Sequence, residues 1–598
     1  VSKAGPQILN LLADPFKPAA HTIRHYTWHK LRKDLLAGAT VAVVEVPQAM
    51  AYALVAGVPP EYGLYTSILQ GILGAMLSSS EHITTGPTNT QSLLIAATVQ
   101  RLVGDPGDPM YLELVFALTM LKGLIQLGFS ALKMGSITRY VSRSVIVGVM
   151  AGAGVLILVG QLQHFLGVHA GHDPTWLPGV LGDLHHLWPH VQEINLRAIG
   201  VGVASLAIIL VIRAISPFLP GALLAIVAGG AIVWGMGWTG EQLPLIPPLP
   251  HGFPSLHVPQ FTWSHAESLF SGALALALIG MLESVAIAKS IAVHTGERID
   301  ANREFFTQGL KNFVTSFFQC IPGSASFTRS ALDYAAGAQT RFAAVFNAVF
   351  VGVIYWFASP LASLIPLASL AAVLFVIAAG LIDWRHLLRV ARSNRSDAAV
   401  CFATFLATML LPLQYAIFVG IVLNLALFLR RASELHINEM VHTPYGPFIE
   451  RPLQDRTGGN VIMFLQVEGD LFFGVADELQ DRLHAVLAGG VRVVILRLKR
   501  THSLDATVLH VLEQFARDIQ QRHGHLILCG VKPSLMTTIR AYGLVQAVGE
   551  ANVFETGFGV FTSAKQALRR ARQLVGSSID LQNLGDLADE TEGWAYEI

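Results

Sequence analysis

Whether GPTNTQSLL (residues 86–94) and IPGSASFTRSALDYAAGAQT (321–340) cross a membrane fixes the topology of this 598-residue chain. They belong to two apolar stretches, near 87–100 and 326–338, that are short and seeded with Thr, Asn, Gln, Ser and Arg. Around them lie clear apolar runs near 34–57, 61–79, 109–132, 144–166, 196–213, 217–238, 268–293, 302–321, 341–358, 361–381, 396–412 and 414–430. Each approaches the ~20 residues needed to span a hydrocarbon core of about 30 Å. Without the two short stretches the chain crosses twelve times; with them, fourteen.

The basic residues choose between these counts, because loops that stay in the cytoplasm are enriched in Lys and Arg. With the N-terminus inside and both short stretches crossing, the inner connections hold Lys133, Arg139 and Arg143; Arg213; Lys289, Arg298 and Arg303; and Arg385, Arg389, Arg392 and Arg395. No Lys or Arg occurs from 144 to 196 or from 214 to 288, which leaves the opposite face nearly bare. Leaving the short stretches out would put the His-rich loop after the fifth span and the Pro-rich loop after the seventh on the basic side. Fourteen crossings with both termini cytoplasmic is the expectation. The short stretches are then third and tenth, seven apart, as in a seven-plus-seven inverted repeat. Broken segments at matching places of two halves point to a transporter's binding site. Two half-helices whose N-termini meet there aim unpaired N–H groups and positive dipole ends at one point, which favours an anion.

Composition agrees with this reading. The chain is 53% hydrophobic and 13% charged, with mean hydropathy +0.52, against about 25% charged in ordinary globular proteins. The charge is uneven: 23 Lys+Arg and 20 Asp+Glu fall in residues 1–429, leaving 17 and 20 for 430–598. A membrane part of net charge +3 thus precedes a soluble part of net charge −3. Neither holds a basic run of the kind that binds nucleic acid. Cys320, Cys401 and Cys529 are isolated and form no disulfide or metal pattern. Residues 1–33 lack an apolar core of signal-peptide type and end in Arg24, Lys30, Arg32 and Lys33, so insertion is expected to rely on the first span. The absence of Walker A, HExxH and GxSxG motifs argues against a hydrolase or an ATP-driven pump. The chain is expected not to be an enzyme and to need no cofactor.

Several residues could carry chemistry. Pro47 removes a hydrogen bond in the first span next to Gln48 and Tyr52. Pro87 is placed where the third helix should begin, followed by Thr88, Asn89 and Thr90 as hydroxyl and amide donors. In the tenth, Pro322 and Gly323 end the preceding helix, Ser326 and Thr328 offer hydroxyls, and Arg329 adds a positive charge. An intramembrane Arg needs a cavity or a partner. Glu45 in the first span and Glu283 in the eighth are carboxylates in apolar surroundings, able to exchange a proton or hold a cation. The alternative for each is a structural pair with Lys122 or Arg329. The His-rich loop (His164, His169, His172, His185, His186, His190, with Asp173 and Asp183) has no standard metal-site spacing and reads as a solvated outer loop.

After the last span, β-rich runs near 461–469, 491–499, 525–531 and 552–555 alternate with helical patterns, as in an α/β domain. The expected organisation is a cytoplasmic segment at 1–33, a transport domain at 34–430, a linker at 431–459, the α/β domain at 460–572 and an acidic tail at 573–598.

VPQAMAYALVAGVPPEYGLYTS (46–67), GPTNTQSLL, SFTRSALDYAAGAQT and LDATVLHVL in the tail resemble the SulP family of anion transporters, relatives of sulfate permeases and of the mammalian anion exchangers that include prestin. The resemblance covers about residues 30–560. It implies a polytopic α-helical fold of fourteen transmembrane segments, in which a core of spans 1–4 and 8–11 moves against a gate of spans 5–7 and 12–14. It also implies a C-terminal cytoplasmic STAS domain, a homodimer and a place in the cell's inner (plasma) membrane. The family's anion site maps onto Gln48, Tyr52, Thr88, Asn89, Phe327, Thr328 and Arg329, and Glu283 falls where some members place a coupling carboxylate. Two departures stand out: Asn89 replaces a smaller or apolar residue, and Ala506 after Asp505 replaces a serine that related STAS proteins phosphorylate. The expected function is secondary transport of a small anion (sulfate, bicarbonate or a dicarboxylate), proton-coupled through Glu45 or Glu283, with sodium coupling or exchange left open. The rivals are a nucleobase permease of the same fold, disfavoured by Arg329 and the STAS domain, a channel-like anion conductor, and a membrane sensor.

Overall fold

In lipid every backbone N–H and C=O must find a partner within the protein, so the apolar runs close into helices. The computed structural model describes residues 16–103, 107–135, 142–168, 180–216, 219–250, 252–260, 262–411, 413–443, 446–453, 461–557 and 562–576. His169, His172 and Asp173 of the His-rich loop, most of the acidic tail and the first fifteen residues lie outside these. The chain clusters into two units, residues 1–424 and 425–598.

Among the described residues, fourteen helices stand at the expected spans, besides shorter connecting ones and the amphipathic Trp384–Ser393: α1 (Trp28–Val55), α2 (Pro60–Leu77), α3 (Asn89–Val103), α4 (Pro109–Ala131), α5 (Arg143–Gly160), α6 (Leu196–Ile215), α7 (Gly221–Met236), α8 (Trp263–Thr295), α9 (Ala301–Thr315), α10 (Phe327–Ala335), α11 (Phe342–Ala358), α12 (Leu367–Leu381), α13 (Arg395–Leu410) and α14 (Leu413–Ala432). Eight of them (α1, α4, α5, α6, α8, α11, α12 and α14) are long and apolar enough to cross a bilayer on their own. The other six are shorter or more polar. Helix starts follow local chemistry: Thr27, Ser142, Asn195, Asp300, Ser326 and Asn394 each accept a first-turn backbone N–H on their side chain. Several starts depart from the expectation: α1 begins at Trp28 and α8 at Trp263, ahead of the apolar runs near 34 and 268, and two others are set by proline. α3 begins at Asn89, two residues after Pro87, because the residue before a proline is held extended and Gly86 lies in a strand. α12 begins at Leu367 rather than near 361, because Pro366 takes the cap position after a 3₁₀ turn at Ser359–Leu364.

Packing repeats with a period of seven helices. α4 packs on α9 and α8 as α11 packs on α2 and α1. Likewise α3 meets α8 as α10 meets α1, and α5 meets α13 as α12 meets α6. Helices α1–α4 and α8–α11 pack mainly with one another, and α5, α6, α7, α12 and α13 do the same; the main contacts between the two groups are those of α1 with α7 and α12 and of α3 with α5.

The second unit is a six-stranded sheet in the order β4-β3-β5-β6-β7-β8, numbering β1 and β2 below for the membrane part. Strands β5 (Ile462–Leu471), β6 (Val493–Leu504), β7 (His525–Val531) and β8 (Val553–Glu555) are parallel, with helices α15 (Phe473–Ala488), α16 (Ala506–Gln521), α17 (Pro533–Tyr542) and α18 (Thr562–Val575) between and after them. Apolar side chains on both faces of the sheet are buried, as parallel strands require. The segment read as a linker, 431–459, is not one: His436–Thr443 (β3) and Gly446–Pro452 (β4) form an antiparallel hairpin, and β3 pairs with β5. Its strands alternate polar and apolar residues only weakly, so no two-residue period flagged them. α18 also runs to Val575, past the expected boundary at 572.

Candidate functional site

The two short segments meet through backbone pairing that no side-chain pattern announced. Thr85–Gly86 (β1) and Ser324–Ala325 (β2) form a two-stranded antiparallel ladder, with Thr85 opposite Ala325 and Gly86 opposite Ser324. β1 leads into α3 and β2 into α10. At about 1.5 Å per residue the nine residues of α10 reach roughly 14 Å, half of a hydrocarbon core. Two glycines make the crossing close. A Cβ on Gly323 would lie 2.2 Å from Gln70 Oε1 and 2.6 Å from the Gly86 carbonyl oxygen, and one on Gly86 would lie 3.0 Å from Glu45 Oε1 and 3.1 Å from Arg329 Nη1.

Arg329 and Glu45, both completely buried, find each other. Arg329 Nη1 donates to Glu45 Oε1 at 2.5 Å and Nη2 to the Pro87 carbonyl at 2.9 Å. Asn347 Nδ2 of α11 donates to Glu45 Oε2 at 2.6 Å. Both carboxylate oxygens of Glu45 are thereby engaged, and the charge of Arg329 is met by a fixed partner.

Glu283 is placed differently. It is half-buried, accepts from Ser324 Oγ at 2.9 Å, and has Thr90 and Lys122 among its polar neighbours. Ser324 Oγ lies 3.3 Å from Thr88 Oγ1, linking the starts of the two halves. Glu45, Gln48 and Tyr52 share one face of α1, three and four residues apart. Tyr52 is buried within electrostatic reach of Arg329, Glu45 and Glu283. Gln48 Oε1 is buried and meets no donor among the described residues.

The remaining candidates separate. Asn89 Oδ1 accepts from the Thr90 N–H at 2.8 Å, so this side chain caps its own helix. Ser326 caps α10 through Arg329 N at 3.5 Å, lies 3.4 Å from Thr328 Oγ1, and its own N–H donates to the Thr84 carbonyl. Phe327 is 57% exposed and Thr328 is also exposed, on the open side of the α10 start.

Lys122, weighed above as a partner for either carboxylate, and several residues the sequence reading passed over complete the site. Lys122 Nζ donates to Gln91 Oε1 in the first turn of α3 at 2.6 Å and to the Gly323 carbonyl at 2.7 Å. Asn312 of α9 holds the Gly323 N–H and carbonyl, and Gln70 Nε2 of α2 reaches Asn312 Oδ1, Thr315 Oγ1 and the Ile321 carbonyl. The available signal was that Gln70 and Asn347 are isolated polar residues in apolar runs (SILQGIL and AVFNAVF).

The loop ahead of β1 is fastened independently. Burial alone would push the Glu81 carboxyl up, but Arg341 at 2.8 Å outweighs it and holds Glu81 below the usual carboxylate range. Burial pushes the His82 imidazole below its ordinary value, against the opposing charges of Glu297, 3.6 Å away, and Glu81.

Comparison with known proteins places this geometry. The model of the sulfate permease family matches residues 31–404, and the STAS domain model matches 453–567. YvdB of Bacillus subtilis is 30% identical over 539 residues, covering 89% of this chain and 97% of that one. Sulfate transporter 1.1 of Arabidopsis thaliana is 26% identical over 559 residues, covering 89% and 86%. The murine Solute Carrier 26 family member A9 anion transporter, solved in the inward-facing state, superposes with a TM-score of 0.84 at 18% identity and 94% coverage of both chains, a likeness of fold. The chain therefore belongs to the sulfate permease family, a family of multi-pass membrane anion transporters rather than enzymes, and carries a C-terminal STAS domain.

Proposed function

We propose that this protein takes up a small oxyanion, sulfate first among them, in symport with protons through Glu283, and that the anion sits where α3 and α10 begin. The observation that carries this reading is the contrast between Glu45, held in a buried ion pair by Arg329, and Glu283, held by the neutral hydroxyls of Ser324 and Thr90. The crossing offers helix N-termini, the hydroxyls of Thr88 and Ser326, the Tyr52 phenol and the Gln48 amide, donors suited to anion oxygens. Glu283, adjacent to that point through Ser324, takes up a proton together with the anion and so removes a repulsive charge. Phe327 and Thr328 line the mouth. Sulfate is favoured by the names of relatives such as sulfate transporter 1.1 of Arabidopsis thaliana.

The mechanism is elevator-like. α1–α4 with α8–α11 carries the site as one body against α5–α7 with α12–α14, a motion favoured by the sparse packing between the groups. Both termini face the cytoplasm, the working unit is a homodimer, and the STAS domain regulates or assembles it; Ala506 excludes a phosphoserine switch at that position. The test is uptake by purified protein in liposomes of labelled sulfate, bicarbonate and a dicarboxylate, with and without inward proton or sodium gradients. Accumulation driven by protons is expected. No uptake of any anion under any gradient sinks the reading, and accumulation that follows sodium alone replaces the coupling ion.

A further inference from the structure

Arg329 Nη1 and Nη2 are engaged by Glu45 and the Pro87 carbonyl, which leaves Nε as the one donor of this guanidinium without a described partner. Two other cations lie in the same interior, Lys122 on α4 and Lys311 on α9, both fully buried and neither ion-paired to a described residue. Lys122 Nζ bridges the two halves of the site, from Gln91 in the first turn of α3 to the carbonyl of Gly323, the residue before β2. The same carbonyl accepts from Asn312 Nδ2 at 3.2 Å, and Asn312 follows Lys311 directly on α9. Lys311 Nζ itself donates to no described group. It belongs to a polar stripe on α9 of Glu304, Thr307, Gln308, Lys311 and Thr315, spaced three and four apart. Thr315 Oγ1 at one end of that stripe is satisfied, accepting from Gln70, and Glu304 at the other is satisfied at Oε1 by Ser78 and Ser79 but not at Oε2. Its middle is not, for Thr307 Oγ1 and both Gln308 amide atoms also lack described partners.

A buried ammonium without a counter-charge is costly to maintain. Arg329 and Glu45 cancel formally, Lys122 and Lys311 are matched in number by Glu283 and by Glu304 on the same stripe, and once Glu283 is protonated the two lysines outweigh the remaining carboxylate by one charge. We infer that Lys122 and Lys311 are the counter-charges that draw the anion to the α3/α10 crossing and that they favour a divalent anion over a monovalent one. The inference rests on the reading of that crossing as the anion site, and it deepens the reading by tying a bound proton to a second negative charge on the cargo.

Charge gives the test, because an electrostatic contribution doubles in free energy when the ligand charge doubles, whereas damage to shape does not. Sulfate and nitrate are titrated against the thermal stability of the full chain in detergent, without any gradient, and half-saturating concentrations are compared. Lys311→Met is expected to weaken nitrate roughly tenfold and sulfate roughly a hundredfold, with Lys311→Arg restoring both to within about threefold. Lys122→Met should shift the ratio the same way. If Lys311→Met does not fold, Lys311→Gln is read for the same ratio. Equal losses for the two anions, no loss, or no stabilisation of the unaltered protein by either anion overturns the inference. A lack of proton-driven uptake in liposomes would strike the coupling proposal alone, since the binding ratio is read without a gradient.

Discussion

Glu45 of α1 and Glu283 of α8 stand seven helices apart in matching halves, yet their surroundings differ at one decisive position. The third residue of α10 is Arg329, which reaches Glu45; the third residue of α3 is Gln91, a neutral amide that instead holds Lys122. One half therefore closes on a buried ion pair supported by Asn347 and the Pro87 carbonyl. The other leaves its carboxylate half-buried among neutral hydroxyls, those of Ser324 and Thr90. A group locked in a pair cannot change charge without breaking the pair, whereas a group held by neutral hydroxyls can. Equivalent positions in a repeat thus divide into a fixed strut and a group free to respond.

The largest effect should come from breaking the strut. Arg329→Ala leaves Glu45 charged and buried, and removing one partner of such a pair typically costs about 3–5 kcal/mol. Chemical denaturation in detergent should show this loss together with abolished uptake. Replacing both partners by apolar residues of similar size, Arg329→Met with Glu45→Leu, should recover much of the stability without recovering transport. An Arg329→Ala protein as stable as the parent would end the distinction between the two carboxylates.

Next in size is an indirect push on the same pair. A Cβ at Gly86 would come within 3.2 Å of Glu45 Oε1 and both terminal nitrogens of Arg329. Overpacking of this kind costs about 1–3 kcal/mol, so Gly86→Ala should lower the unfolding midpoint less than Arg329→Ala does. A combined Gly86→Ala and Arg329→Ala protein should lose less than the sum, because the crowded partner is gone; strict additivity would mean that Gly86 does not act through the pair.

On the other side, Ser324→Ala removes the hydroxyl that joins Glu283 to Thr88. One hydrogen bond at a half-buried site contributes about 0.5–1.5 kcal/mol, so the stability loss should be the smaller of the two halves. Apparent sulfate affinity should change as well, since Ser324 opens the strand that leads into α10. A loss as large as that of Arg329→Ala would show that Glu283 is held as firmly as Glu45.

How much of this was legible follows from the range of each signal. Fourteen crossings and the seven-helix repeat were readable because hydropathy, Lys and Arg placement and polar-interrupted segments are local patterns that recur. The residues of the crossing were readable as Pro, Gly, Ser and Thr at two helix starts. Their partnerships were not. Arg329 and Glu45 are 284 residues apart, and either could have paired with Lys122 on sequence alone. Two-residue strands such as β1 and β2 have no period to detect, and the β3–β4 hairpin alternates too weakly to separate from a linker. Lys311 drew no attention because one lysine near a helix end reads as a surface residue until its burial is seen.

The smallest change in stability should accompany the clearest change in function. Glu283→Gln keeps the size of the side chain and an oxygen to accept from Ser324 Oγ, so the folded state should shift by less than about 0.5 kcal/mol. What it removes is the ability to gain and lose a proton while the anion is bound. Liposomes containing this variant should still equilibrate sulfate down its own gradient, but an inward proton gradient should no longer drive accumulation. Glu45→Gln should behave in the opposite way, losing stability and all uptake together, because its defect is a broken strut that leaves Arg329 without its counter-charge. The pair of variants therefore separates the two roles by which quantity moves. Proton-driven accumulation that survives in Glu283→Gln would transfer the coupling role elsewhere, with the buried lysines as the next groups to replace.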